Sequence, residues 1–389
     1  MAANNALDTI VPQILAQGLA VLRENIVMPF LVNRGYSAEA AQRGDTVTIP
    51  VPSAMTAQDV TTGLIKDMAD SQDVTPSSVT IPMDQWKKAD FAMTDKDLVE
   101  IQNGYLPLQA ESAVKALANQ VDTDLLGMIS GLYGFSGTLG ADEGINSISD
   151  VVQARKVLNE QLAPMDPRYM VVGPQGEAEM LSIQAFHDAS FGVGGEAILE
   201  GRLTRRLGFG IAMDQNVGTI TQAAGPGDVT VNFDETASRK TVSAAVGTGE
   251  FAVGALVDIA TISGNFVITS VTGTGASAVY GIEPALPAGA SGGPVAMTDA
   301  AGVETGEAYE ANMAFHRDFA AFVTRPLAAG AEGLGTVVRS ISDPESRLTL
   351  RLEISRENKQ TRWCWDILYG FALIRRELGC RVGGSVLAT

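Results

Sequence analysis

The sequence predicts an α+β protein with an all-β segment set into it, and three observations lead there. Residues 106–130 place Ala110, Ala113, Val114, Leu117, Val121, Leu125 and Met128 on one stripe at spacings of three and four, the pattern of a long amphipathic helix. Two regions, 44–95 and 333–382, alternate apolar and polar residues with the period of two that strands require. Between 216 and 310, Thr, Val, Gly, Ala and Ser dominate, and short runs such as "DVTVNF" and "FVITSV" are bounded by glycine or proline. That texture reads as a small β-barrel or sandwich.

The elements follow in order. Near the N-terminus, Ile14, Leu15, Leu19 and Leu22 have helical spacing, and Pro29 and Gly35 end the segment. An amphipathic helix ahead of any domain must bury its stripe on something else. In "GDTVTIPVP", Val47, Ile49 and Val51 alternate; 53–78 is a polar excursion; strand texture resumes through Phe91 and Met93. This describes an extended hairpin, which is marginal alone and needs cover for its edges. After the long helix, "SISDVVQARKVLNEQLAP" is a second helix with Ser149 or Asp150 as N-cap and Pro164 beyond its end. "RYMVVGP" is a short buried strand and "QGEAEMLSI" another helix. Late in the chain Leu348, Leu350, Leu352 and Ile354 alternate with polar residues, and "WCWDILYGFALI" is apolar on both faces, as at the centre of a sheet.

Composition excludes several classes. The 389 residues are 46% hydrophobic and 19% charged, too apolar for a disordered chain. A net charge of -18 repels phosphate backbones and anionic lipid, which argues against a nucleic-acid reader. No stretch reaches the ~20 apolar residues of a membrane span, and "MAANNALDTIVPQIL" lacks the basic start of a secretory signal. Cys364 and Cys380 make no disulfide framework and read as buried free thiols.

Candidate chemistry is sparse. The two histidines, His187 and His316, stand in "AFHDAS" and "AFHRDF", each followed closely by an aspartate. A relay needs a nucleophile, a base and an orienting carboxylate. Histidine and cysteine spacings fit no metal motif. The glycines of "FGVGGE" lack the spacing and the lysine of a phosphate loop. Phe315, Phe319 and Phe322 fall at i, i+4 and i+7, which predicts a buried helical stripe with Arg317 and Asp318 off it. That makes Phe315, His316, Arg317, Asp318 and Phe319 a structural seam where the chain re-enters the main body after the β-rich segment. In the hairpin region, Lys66, Asp67, Asp70 and Asp73 on one half and Lys87 and Lys88 on the other are candidates for contacts between subunits.

Five stretches occur in order along the chain: "GDTVTIPVP" (44–52), "ALANQVDTDLL" (116–126), "EGRLTRRLGFGIAMDQNV" (200–217), "NMAFHRDFAAFVTRPL" (312–327) and "WDILYGFALIRREL" (365–378). Together they resemble the major capsid (coat) proteins of tailed bacteriophages with the HK97-like fold, and among them the short-tailed-phage coat proteins that carry an extra insertion domain. Arg376 departs from the resemblance, since a proline is common there. The resemblance implies an N-terminal arm at 1–43, an E-loop at 44–95, a P-domain with its spine helix at 96–147 and a first part of the A-domain at 148–215. It places an inserted β-rich domain at 216–310 and the return to A- and P-domain strands at 311–389.

The function implied is structural and non-enzymatic, with no cofactor. Copies of the chain would self-assemble into pentamers and hexamers of an icosahedral head around double-stranded DNA, held without sequence specificity. Portal and scaffolding proteins would be partners during assembly in the bacterial host cytoplasm, the virion capsid the final location, and no membrane is involved. Some relatives cross-link subunits through a Lys–Asn bond; the insertion-bearing group generally does not, so Lys66 is expected to stay free. Two other readings stand beside this one: an encapsulin-type nanocompartment shell protein of the same fold, and an enzyme centred on His316 and Asp318. A third, a β-rich adhesin, leaves the long helix unexplained.

Overall fold

The computed structural model describes residues 14–22, 26–36, 46–51, 55, 77–94, 105–132, 134–137, 144–187, 205–221, 229–234, 239–246, 251–262, 265–283, 285–287, 289–299, 308–327, 336–342 and 348–386. Its helices in chain order are α1 (14–22), α2 (Met28–Leu31), α3 (Tyr105–Leu126), α4 (Ile148–Glu160), α5 (Pro174–Ser182) and α6 (Gln184–His187). The first strands are β1 (Thr46–Val51), β2 (Ser77–Pro82), β3 (Gln85–Thr94), β4 (Gly134–Ser136), β5 (Arg168–Val172), β6 (Gly210–Met213) and β7 (Thr219–Thr221). There follow β8 (Val229–Asp234), β9 (Thr241–Val246), β10 (Leu256–Ile259), β11 (Asn265–Thr272), β12 (Val279–Glu283) and β13 (Ser291–Asp299). The last are β14 (Ala308–His316), β15 (Ala320–Thr324), β16 (Val337–Ser342), β17 (Thr349–Glu357), β18 (Gln360–Leu373) and β19 (Gly379–Val386). The chain divides into two units, and the division falls inside α3, between Leu117 and Ala118, and again between Ala320 and Ala321.

The first unit takes in Met1–Arg23, Arg34–Leu117 and Ala321–Ile374. Its sheet runs β15–β18–β17–β16, with β3 also paired to β18. One face of that sheet is apolar because Leu350, Leu352 and Ile354 share it with Trp363, Trp365 and Ile367, and alternate residues point the same way. Helix α1 buries Ile14, Leu15, Val21 and Leu22. It comes so close at Gly18 that an added Cβ would lie 3.2 Å from Val114 of α3 and 3.5 Å from Leu350. The stripe expected on the long helix is therefore core: Ala110, Val114, Leu117, Val121 and Leu125 are all buried, while Ala113 is half-buried. Among the described residues β1 and β2 pair only with each other, from Thr46↔Pro82 to Val51↔Ser77. The base of this ribbon is anchored where Val47, Ile49, Ile81 and Met83 pack with Ala321 and Val323.

The second unit takes in Glu24–Asn33, Ala118–Ala320 and Arg375–Thr389. Its sheet runs β4–β19–β14–β5–β6, with β7 paired to β14. β4 is parallel to β19 and β6 is parallel to β5, while β14 is antiparallel to β19 and β5. Helix α4 turns Val151, Ala154 and Leu158 inward. Its cap is Ser147, two residues before the expected Ser149 and three before Asp150. Asp150 sits three residues on and its carboxylate accepts the Ser147 N–H at 3.0 Å, closing a capping box.

Strands β8 to β13 close into a barrel in the order β10–β11–β12–β9–β8–β13. Val231, Val257, Ile268, Tyr280, Ile282 and Met297 fill it and are fully buried. The barrel strands span 229–299, narrower than the 216–310 region read as one β-rich segment: Thr219–Thr221 and Ala308–Glu310 pair with each other in the six-stranded sheet instead. Alternation marks a strand but not which sheet it joins. The barrel meets that sheet through Phe135, Leu256, Val267 and Tyr309.

Candidate functional site

The stretch expected to form a helical stripe is a strand, a single 3-10 turn and another strand: β14 ends at His316, Arg317–Phe319 turn, and β15 starts at Ala320. Phe315, Phe319 and Phe322 are buried as expected, but the helical reading is corrected. The two rings at i and i+4 meet at a centroid distance of 4.3 Å because the tight turn folds the chain back on itself, a spacing indistinguishable in sequence from a helix.

His316 is 3% exposed, and its Nδ1 accepts the Asp318 backbone N–H at 3.2 Å. A nitrogen that accepts has no proton for the Asp318 carboxylate, 3.8 Å away. A hydrolytic relay needs the opposite arrangement, with the carboxylate accepting from Nδ1–H. Asp318 Oδ1 instead accepts from Asn33 Nδ2 at 2.7 Å, and the Asn33 N–H donates to the Ala320 carbonyl at 3.2 Å. The polar residues of the turn thus hold the segment that follows α2. His187 closes α6, but its side chain lies outside the described residues, as does all of 191–196.

Three buried polar anchors escaped the sequence reading. The first is Asp122 in α3, fully buried, whose two oxygens accept the N–H groups of Val27 and Met28 at 3.0 and 3.1 Å. From another element it satisfies the N–H groups of the N-cap residue and of the first residue of α2. Burial, reinforced by the charge of Asp214, pushes its pKa up to about 8, against the pull of the two N–H groups. Burial also raises Asp214, whose Oδ1 accepts from the Asn216 N–H and Nδ2 at 2.8 and 3.0 Å. The second anchor is on β14. Glu310 accepts the N–H groups of Gln175 and Gly176 at 3.2 and 2.8 Å, and Asn312 accepts that of Gly173 at 2.8 Å. A helix N-terminus attracts anions; here the chain's own carboxylate fills it. A Cβ on Gly173 would collide with Glu310, which is why the loop needs glycine there. The third is Arg381 in β19, 1% exposed, which donates to the Gly254 carbonyl at 2.8 Å and the Ser130 carbonyl at 2.6 Å. It pins the loop entering β10 of the barrel to the end of the long helical segment. Nothing in sequence spacing marks these residues, since each partner lies far along the chain.

Of the ribbon charges, Lys66, Asp67, Asp70 and Asp73 lie outside the described residues. Lys87 and Lys88 sit on β3 and point to opposite faces; Lys88 pairs with Asp90 of its own strand at 3.4 Å. Cys364 and Cys380 are free and buried, and burial pushes the Cys380 thiol well above its ordinary range. Among the described residues no cluster of three His, Cys, Asp or Glu could hold a metal ion, and no described helix is long and apolar enough to cross a membrane.

Residues 76–239, from β2 through α3, α4 and α5 into the barrel, match a family model described as phage capsid protein. No curated protein matches the chain. A structure from Mycobacterium phage Che8 is similar in fold, 16% identical with a TM-score of 0.50, over 92% of this chain and 90% of that one. So is the capsid structure of the cyanophage P-SCSP1u, 11% identical with a TM-score of 0.50, over 93% of this chain and 89% of that one. Residues 76–239 thus match the phage capsid family, and the chain as a whole shares the HK97-like fold of these two phage structures.

Proposed function

We propose that copies of this chain assemble into the pentamers and hexamers of an icosahedral head that encloses double-stranded DNA. The observation that carries this reading is the capsid-family match over 76–239, the segment holding half of the ribbon and the long helix. The ribbon supports it. A two-stranded sheet is marginal in water; Val47, Ile49, Ile81 and Met83 pack the described part of β1 and β2 on the first unit's sheet, and a neighbouring subunit is the natural cover for an extended ribbon. Residues 1–43 would act as an arm, 44–95 as the E-loop, and the barrel as an insertion domain.

A net charge of -18 suits a container that does not grip its contents: an acidic wall repels the phosphate backbone and lets the genome spool in and out. Assembly in the bacterial host would involve a scaffolding protein and a portal through which DNA enters. Electron microscopy of the purified protein, alone and co-expressed with its scaffolding protein, is expected to show closed shells built of five- and sixfold capsomers. A product that remains monomeric under both conditions would overturn the reading. Nuclease-resistant DNA in the native particles would separate a phage head from a shell that holds protein cargo.

A further inference from the structure

We propose that the outer face of the β3–β18–β17 sheet, anchored by Trp86, is a contact surface for a second copy of this chain. The proposal rests on the shell reading above and names one of the surfaces that shell would use.

Trp86 is 61% exposed, whereas the other two tryptophans, Trp363 and Trp365, are 5% and 0% exposed. The ring is nevertheless held in place. Its Nε1 donates to Asp366 Oδ2 at 3.1 Å, and the Arg351 guanidinium lies 5.9 Å from its centroid. Arg351 is in turn fixed by a two-pronged pair with Asp366, Nε to Oδ1 at 2.8 Å and Nη2 to Oδ2 at 2.5 Å. Large rigid side chains give up little entropy on binding, and Trp and Arg dominate the energetics of protein interfaces. An exposed tryptophan that the fold has already immobilised is an anchor waiting for a partner.

The charges around it select that partner. Register places Lys88, Asp366 and Arg351 side by side on this face, and Asp90, Cys364 and Glu353 in the next row. Arg362 shares the face and donates to Asp90 at 2.8 Å. In the three rows nearest Trp86, three cations (Lys88, Arg351, Arg362) meet three anions (Asp90, Glu353, Asp366), with Glu357 one row further on, in a chain whose net charge is -18. Copies of an acidic chain repel over most of their surface; a neutral, mixed-sign patch is where two of them approach at least electrostatic cost and with complementary charges to match. A nucleic acid would require net positive charge, which this patch lacks. β3 pairs with β18, which sets Trp86 opposite Leu368 at one end of the face.

Acrylamide quenching of tryptophan fluorescence tests this directly, because Trp86 is the single exposed fluorophore of three. In unassembled protomers a quenchable component is expected, and Trp86→Phe should remove it. In wild-type shells the same component should become protected, with a severalfold fall in its quenching constant. Trp86→Ala should leave the circular dichroism and the unfolding curve of the protomer near wild type while raising the protein concentration needed for assembly about tenfold or more. Shells in which Trp86 stays as quenchable as in the protomer, or an alanine variant that assembles at the wild-type threshold, would overturn the contact while leaving the shell reading intact. Absence of any assembly would overturn both.

Discussion

Asp122→Asn isolates the carboxyl that straps the α2 segment to the long helix. The wild-type group titrates at 3.8 when free and at about 8 in the folded protein. The folded state therefore keeps a proton that the unfolded state gives up. The sign follows: the stability from this group is complete below pH 3.8, falls as pH rises, and is fully lost above about 8. One pKa unit corresponds to about 1.4 kcal/mol, so the window from 3.8 to about 8 is worth on the order of 6 kcal/mol. Asp214 is raised by its own burial and acts in the same direction, and its charge adds to the rise at Asp122. Asparagine does not titrate. Its single acceptor satisfies one of the Val27 and Met28 N–H groups and faces the other with an amide donor, a loss of about 1–3 kcal/mol. The variant should thus be less stable than wild type at pH 5, and the two stability curves should cross as pH rises, leaving the variant the more stable at pH 9. Urea unfolding of the protomer at a series of pH values gives the curves, and hydrogen exchange of peptides covering 26–33 reports whether the strap opens locally. Parallel curves would refute the reasoning, because they would mean that Asp122 is not the group holding the proton.

Other substitutions probe the remaining anchors. Arg381→Met keeps the length of the side chain but leaves the carbonyls of Gly254 and Ser130 without donors, and should lower stability by about 2–4 kcal/mol with faster hydrogen exchange in β10 and β19. Glu310→Gln removes the charge at the start of α5 and one of its acceptors; denaturant unfolding should show a loss of about 1–2 kcal/mol. His316→Ala deprives the Asp318 N–H of its acceptor and opens space at the turn, so thermal unfolding should show about 1–3 kcal/mol of destabilisation. Full stability in that variant would mean that the imidazole does not hold the turn.

How far the sequence reveals this protein depends on the range of the interaction concerned. The long helix is plain from Val114, Leu117, Val121 and Leu125, because a helix needs only one repeating face and all of these positions are buried. The central place of β18 is plain from "WCWDILYG", since a strand covered on both sides carries no alternation. The cap of α4 is visible to within one turn, as the residues concerned are near neighbours. The turn at His316 misleads because phenylalanines four apart meet in a helix and also across a tight reversal. The strands flanking the barrel mislead because their pairing partners are separated by the whole of the barrel sequence.

What the sequence by itself determined is the class of the protein: an acidic α+β chain with a long helix, a ribbon and a β-rich segment, in an order that resembles phage coat proteins. Those properties rest on composition and on contacts within a few residues, which periodicity records. The tertiary structure alone decided which polar residues hold the parts together. Asp122 reaches residues 94 and 95 positions away, Glu310 reaches 134 and 135, and Arg381 reaches 127 and 251. A buried charge is tolerated only where a partner meets it, and chain folding, not local spacing, brings that partner into place.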